Sequence, residues 1–231
     1  MILLAIDTST SAITVAVHDG TECLASGSVV DARRHTEQLA PLLRDVLADA
    51  GLTPRDVTDV VVGTGPGPFT GLRVGIVTGL TFAHALGIRV HGVCSLDALA
   101  HGWAKTAPEP GATFLVASDA RRKEVYHATY RVTDDGRAQR LTEPAVSRPG
   151  DLPSAVTALP TVGRGAQVHP EHLPSGVTPL DVDAADLAAV AAPLIAAGAD
   201  LPTEPLYLRR PDAVEPAAVK STLAADGRGQ R

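Results

Sequence analysis

Apolar positions along this chain follow two rhythms. The run Ile2–Ile6 is unbroken, β-branched at its ends and stopped by Asp7-Thr8-Ser9-Thr10-Ser11, which predicts a short buried strand. Ile13–His18 and Leu24–Val30 predict two further strands, the first ending in an Asp19-Gly20 turn. The period then lengthens. Leu39, Leu42, Leu43, Val46, Leu47 and Ala50 share one face of a helix running from His35 to Ala50, which Gly51 stops. A strand (Val57–Val62), a helix (Phe69–Leu86), a strand (Ile88–Val93) and a helix (Ser95–Trp103) follow.

A Pro/Gly stretch at 107–111 marks a boundary. Beyond it Thr113–Ala117, Val125–Arg131 and Ala138–Leu141 repeat the three-strand opening. Prolines interrupt the pattern between Gly150 and Pro205, Leu206–Arg209 predicts a last short strand, and the tail from Pro211 is polar. A βββαβα unit followed by a degenerate copy implies an internal duplication. The fold class this predicts is α/β, with actin/Hsp70/sugar-kinase-like duplicated βββαβα domains flanking a cleft. The expected domains are 1–106 and 107–210, with 211–231 a frayed tail.

Composition narrows the classes. Aromatic residues make up 3% of the chain, so Ala, Gly and Val must build the core through close backbone approach. A net charge of −6 excludes a whole-molecule electrostatic trap for nucleic acid. The short basic clusters Arg33-Arg34, Arg121-Arg122-Lys123 and Arg209-Arg210 read as solvated edges. Cys23 and Cys94 are the only cysteines, as in a reducing cytosol. The N-terminus has no basic leader, and the apolar tract 184–199 is short and holds Asp186 and Pro193, so a cytoplasmic protein with no membrane partner is expected.

The segment Gly65–Gly75 leads from a strand through a glycine-proline turn into a helix, where backbone N–H groups can be left facing outward. It lacks the Gly-Lys-Ser/Thr of a Walker loop and the spacing of a dinucleotide fingerprint. In the helix it opens, Phe69, Leu72, Ile76, Val77 and Leu80 form an apolar arc continued by Phe82 and Leu86. Gly71, Gly75 and Gly79 form a bare stripe beside it. Glycine costs about 1 kcal/mol per helical position, so the stripe needs a close neighbour, either within the chain or on a partner. Arg73 in the first turn opposes the helix dipole and calls for a carboxylate, unless it is simply exposed.

Chemistry of the chain's own is thinly supported. No His-x-x-x-His pair is present, and His18, His35, His84, His91, His101, His127, His169 and His172 read as satisfied or surface side chains, so no metal is expected. Asp7 and Thr8 after the first strand, and Gly163 and Gly165 in the second half, are weak candidates for holding a nucleotide. Asp7 and Thr8 serve equally to close the strand-end turn. Neither Ser95 nor Cys94 comes with a definable base and orienting acid, so no catalytic residue is assigned.

Several segments in order resemble the bacterial TsaB (YeaZ) family. They are Leu4-Ala5-Ile6-Asp7-Thr8-Ser9-Thr10, Arg34-His35-Thr36-Glu37, the glycine-proline segment, Ser95-Leu96-Asp97-Ala98-Leu99, Asp119-Ala120-Arg121-Arg122 with Glu124-Val125-Tyr126, and Pro205-Leu206-Tyr207-Leu208-Arg209. The chain departs from the family's usual Ser at Thr36, Ser at Pro68 and Gly at Lys123; the last casts doubt on a turn needing positive φ. The resemblance implies a non-catalytic subunit that dimerises with a TsaD-like catalytic subunit and holds no cofactor tightly. A TsaE-like ATPase joins that complex, which forms N6-threonylcarbamoyladenosine at tRNA position 37; tRNA is met only through the complex, and the chain alone pairs as a homodimer. It further implies that the first two helices make the contact, through His35, Leu39, Leu42, Leu43, Val46, Gly71, Leu72, Arg73, Gly75, Ile76, Gly79 and Phe82. The competing readings are an independent nucleotide-binding acyl- or sugar-kinase-like enzyme and, last, a peptidase.

Overall fold

A computed structural model describes residues 1–30, 35–106 and 109–209, with the side chains of residues 35 and 36 left out. The expected tail 211–231 lies outside the described residues. Strand β1 (Leu3–Asp7) pairs antiparallel with β2 (Ala12–His18) and parallel with β4 (Asp59–Gly63). With β3 (Cys23–Val30) and β5 (Arg89–Val93) the first sheet reads β3-β2-β1-β4-β5. The second sheet repeats this plan. Strand β6 (Thr113–Asp119) pairs antiparallel with β7 (Val125–Val132) and parallel with β10 (Thr161–Val162), which pairs in turn with β11 (Gly176–Val177). Strands β8 (Ala138–Arg140) and β9 (Ala145–Ser147) both sit on β7. The duplicated actin- and sugar-kinase-like α/β plan is therefore present in both halves.

The helices show how far the second copy has shrunk. Helices α1 (His35–Asp49), α2 (Phe69–Leu86) and α3 (Ser95–Ala104) follow the first set of strands. Their counterparts are α4 (Ser154–Thr157), α5 (Arg164–Val168) and α6 (Ala184–Ala196). Alternation along the strands assigns each face. Leu4, Ile6, Ile13, Val15 and Val17 turn outward, where Leu39, Val46 and Leu47 of α1 and Leu72 and Ile76 of α2 cover them. Leu3, Ala5, Ala16 and Val61 turn inward, into one core with α3, α6 and Phe114, Val116, Ala128 and Tyr130 of the second sheet.

In that inner layer the helices are exchanged. Helix α6, from the second half, lies on β1, β2, β4 and β5, whereas α3, from the first half, lies on β6, β7 and β8. A boundary near residue 107 thus separates the two sheets, but not two independent packing units. Alanines make the exchange compact: Ala184, Ala188, Ala191 and Ala192 of α6 meet Ala5 and Ala16. Asp186 of α6 pairs with His101 Nδ1 of α3 at 3.1 Å and accepts from Nζ of Lys105, the residue that caps α3, at 2.6 Å.

One expectation changes. Residues 206–209 form no strand: Leu206 N–H donates to Thr64 O (2.9 Å) and Gly92 N–H to Leu201 O (2.9 Å), and Pro202 and Pro205 can donate nothing that would extend these isolated rungs into a ladder. The segment is an irregular strap across the first half. Helix α2 has the length and mean hydropathy (1.2) of a membrane span, and one side of it, with Leu72, Gly75, Ile76, Gly79 and Ala83, is buried within the protein.

Candidate functional site

Strand β1 delivers Asp7 to a fully buried position. Its Oδ1 accepts from the Ser9 amide and hydroxyl, both at 2.7 Å, and its Oδ2 accepts from Ser95 Oγ at 2.5 Å. Burial drives this carboxyl above the usual range; the hydrogen bonds from Ser95 and Ser9 oppose the rise without cancelling it. A Cβ on Gly63 would come within 1.7 Å of Oδ2, so no room for an ion remains on that side. Thr8 is equally engaged. Its Oγ1 donates to Gly71 O at 2.7 Å and accepts from Gly75 N–H at 2.9 Å, inserting a hydroxyl into the first turns of α2.

That bond overturns the reading of the glycine stripe as a surface for a partner helix. A Cβ on Gly71 would lie 2.8 Å from Thr8 O, one on Gly75 2.5 Å from Thr8 Oγ1, and one on Gly79 2.3 Å from Val62 Cγ1. The close neighbours are the chain's own β1 loop and β4. Leu39, Val46, Leu72, Gly75, Ile76 and Gly79 are buried, so they are withdrawn from the partner face. Leu42, Leu43 and Phe82 are partly buried against the same core, and the side chain of His35 lies outside the described residues.

The other side of α2 carries what remains exposed. Phe69 (44% exposed), Val77 (57%) and Leu80 (40%) line it, beside Tyr207 (43%) from the strap. Arg73, from the predicted set, sits 3.8 Å above the Phe69 ring and donates from Nε to Tyr207 Oη at 2.9 Å. Aromatic faces, rather than a carboxylate, thus accommodate this cation near the helix start. The spacing of Phe69, Arg73 and Val77 is visible in sequence. Tyr207, 134 residues beyond Arg73, is visible only in space.

Between the halves lies a hollow of about 240 Å³ lined by Thr8, Thr10, Ser11, Ser118, Asp119, Arg121, Arg164 and Asp181. Its strongest charges are paired: Arg164 Nε and Nη2 reach Asp181 at 2.8 and 2.6 Å. Gly163 and Gly165 are set by packing. A Cβ on either would come within 2.8 Å of Ala117 O, and Gly163 holds φ at +99°. These glycines seat α5 closely on β6.

The remaining chemistry-bearing groups have structural partners. His91 faces Asp59 at 3.0 Å, His127 meets Ser147 Oγ at 2.9 Å, and His18 Nδ1 accepts from Gly20 N–H. His169 is the exception to the expectation of satisfied histidines, because its buried Nε2 has no hydrogen-bond partner. Among the described residues no three His, Cys, Asp or Glu side chains gather as metal ligands. Ser95 Oγ donates to Asp7, and burial pushes the Cys94 thiol up to about 12. Lys123 departs from expectation: it adopts φ +62° although it is not glycine.

Comparison with known proteins places this geometry among relatives. A family model described as TsaD, tRNA N6-adenosine threonylcarbamoyltransferase, matches residues 29–172. The tRNA threonylcarbamoyladenosine biosynthesis protein TsaB of Escherichia coli is 35% identical over 227 residues, covering 90% of this chain and 95% of its own length. An uncharacterized protein of Mycobacterium leprae is 45% identical over 221 residues; the match takes in 92% of this chain but 56% of that relative, so the chain spans about half its length. A solved structure, YeaZ from Pseudomonas aeruginosa, superposes with a TM-score of 0.74 at 30% identity, covering 89% of this chain and 100% of that one.

Proposed function

The chain belongs to the TsaB family, and from that membership we propose that it is a partner subunit, without catalysis of its own, for a TsaD-like transferase. Its relatives are named for tRNA threonylcarbamoyladenosine biosynthesis, and the chain takes part in that process. Within it the chain binds the TsaD-like subunit, a TsaE-like ATPase joins them in the cytoplasm, and the assembly forms N6-threonylcarbamoyladenosine at tRNA position 37. In isolation the same face pairs with a second copy.

The observation that carries this reading is the outer face of α2. Phe69, Val77 and Leu80 are exposed on the side of the helix away from the core, with the exposed Tyr207 ring against Phe69. Covering such a face releases water from apolar area, and the Phe69–Arg73–Tyr207 stack fixes it before docking. The strand-end groups that could have bound a nucleotide, Asp7 and Thr8, are held in internal hydrogen bonds.

Val77→Glu with Leu80→Glu puts two charges on that face without touching the core. Co-purification with the TsaD-like subunit and tRNA modification by the mixture are expected to be lost, with the melting temperature nearly unchanged. Retained co-purification overturns the interface. Calorimetric titration with ATP and Mg²⁺ addresses the kinase-like reading: tight binding with turnover by the isolated chain overturns the non-catalytic role.

A further inference from the structure

We propose that the β6–β7 turn, with Arg148 facing it, binds the phosphodiester backbone of RNA; this rests on the reading that the chain works on tRNA. Arg121, Arg122 and Lys123 are exposed side chains on three consecutive residues with φ of 61°, 53° and 62°. L-residues avoid that region, and a hairpin needing it ordinarily takes glycine. Here it is filled by three cations. With Arg148, His169 and His172 they line a concavity of about 850 Å³.

The carboxylates in that concavity are partly engaged already. Asp119 accepts from the Arg121 amide at 2.8 Å and pairs with its guanidinium at 3.2 Å. Glu171 lies 3.7 Å from His169 Nδ1 and 3.8 Å from His172 Nε2. Asp151 is the third. Among the described residues Lys123 and Arg148 take part in no ion pair, and four Arg and Lys side chains line the concavity against three carboxylates, on a chain whose net charge is −6. An anion with several separated charges fits a concavity of this breadth better than one small ion does.

The position favours RNA held within an assembly. A second hollow, lined by Phe69, Arg121, Arg122, Tyr207 and Arg209, joins the cationic turn to the exposed α2 face. Arg209 is fixed there by Glu124 and by Ala120 O. A transferase docked on α2 would bring its RNA substrate past this rim. The cations would grip phosphates without reading sequence, as is usual for backbone contacts.

The test uses the complete assembly with the TsaD-like and TsaE-like subunits and fluorescently labelled tRNA, titrated between about 50 and 200 mM salt. Lys123→Glu with Arg148→Glu is expected to weaken binding about tenfold at 0.1 M salt and to lower the log–log salt slope by about 1.5, at roughly 0.7–0.9 per phosphate contact. Lys123→Gly, which removes the charge while easing the backbone, is expected to give about half that change in slope. Unchanged affinity and slope in an assembly that still modifies tRNA overturn the site and leave the proposed function standing. Variants that lose the partner subunit rather than tRNA affinity show an acidic protein segment as the occupant, and also overturn it. A wild-type assembly that neither binds nor modifies tRNA overturns both.

Discussion

Asp7 and Asp119 end the first strand of each half, and each accepts the amide two residues on, from Ser9 at 2.7 Å and from Arg121 at 2.8 Å. From that shared turn the halves diverge. After Asp7 the chain folds inward, its hydroxyls tie into α2 and α3, and a helix of 18 residues packs over them. After Asp119 it swings outward through three left-handed cations, and the helix equivalent to α2 has only five residues. One strand plan thus supports a closed, load-sharing end and an open, charged one. The two ends share the aspartate's bond to the amide two residues on, and differ in the backbone that follows it and in the packing beyond.

The largest expected effect tests the closed end. Gly79→Leu should cost about 3 kcal/mol, because even a Cβ there overlaps Val62 and the glycine lies on the buried side of α2. For a chain of this size the melting temperature should fall by several degrees. Folded protein should still bind the TsaD-like subunit normally. Loss of binding at full stability would return the glycine stripe to the partner face.

Much of this was legible in the sequence. The unbroken apolar runs Leu3–Ile6 and Phe114–Ala117 marked both central strands, and α2 runs from Phe69 to Leu86 as its periodicity predicts. The orientation of α2 was not legible. It is apolar nearly all round, so Leu72 and Ile76 inside cannot be told by pattern from Val77 and Leu80 outside. The exchange of α3 and α6 was hidden for a related reason: an amphipathic helix declares that it has a buried face, not which sheet that face meets. The engagement of Asp7 by Ser95 crosses 88 residues, which no local spacing records.

A smaller effect compares the two aspartates directly. Asp7→Ala leaves the Ser95 hydroxyl without its acceptor in the core and should cost about 2–3 kcal/mol. Asp119→Ala removes an exposed ion pair and one turn bond, and should cost about 1 kcal/mol or less. Urea unfolding of both variants measures the gap. Equal losses would show that the two ends do not differ in the way their packing implies.

The pH dependence of stability should separate a closed end from an exchanged helix, by about 1–2 kcal/mol. Burial alone would raise Asp186, but hydrogen bonds from His101 and Lys105 outweigh it and its pKa falls below 3.8. A lowered pKa contributes stability above the unfolded value, and that contribution is lost as pH falls through the folded one. Asp7 has the opposite sign: its raised pKa favours the folded state at low pH, and this is lost as pH rises through the folded value. The penalty of Asp186→Asn should therefore be full at pH 7 and fade below about pH 3.8, whereas that of Asp7→Asn should shrink as pH rises. Parallel pH profiles for the two variants would break the contrast.

The smallest effect probes the open end, where strain and charge coincide. A left-handed conformation costs an L-residue about 1–2 kcal/mol, and Lys123 adopts one at φ +62°. Glycine removes that cost but gains freedom in the unfolded chain worth about 0.4–1 kcal/mol. Lys123→Gly should therefore stabilise the fold by roughly 0.5 kcal/mol, read as a higher urea midpoint at unchanged slope. The same substitution should weaken tRNA binding by the assembly. Stability and affinity moving in opposite directions would mean that the lysine is kept for the anion it meets, at the expense of the turn that holds it. If both fell together, the turn would need the lysine for its own folding, and the open half would be built on packing as the closed half is.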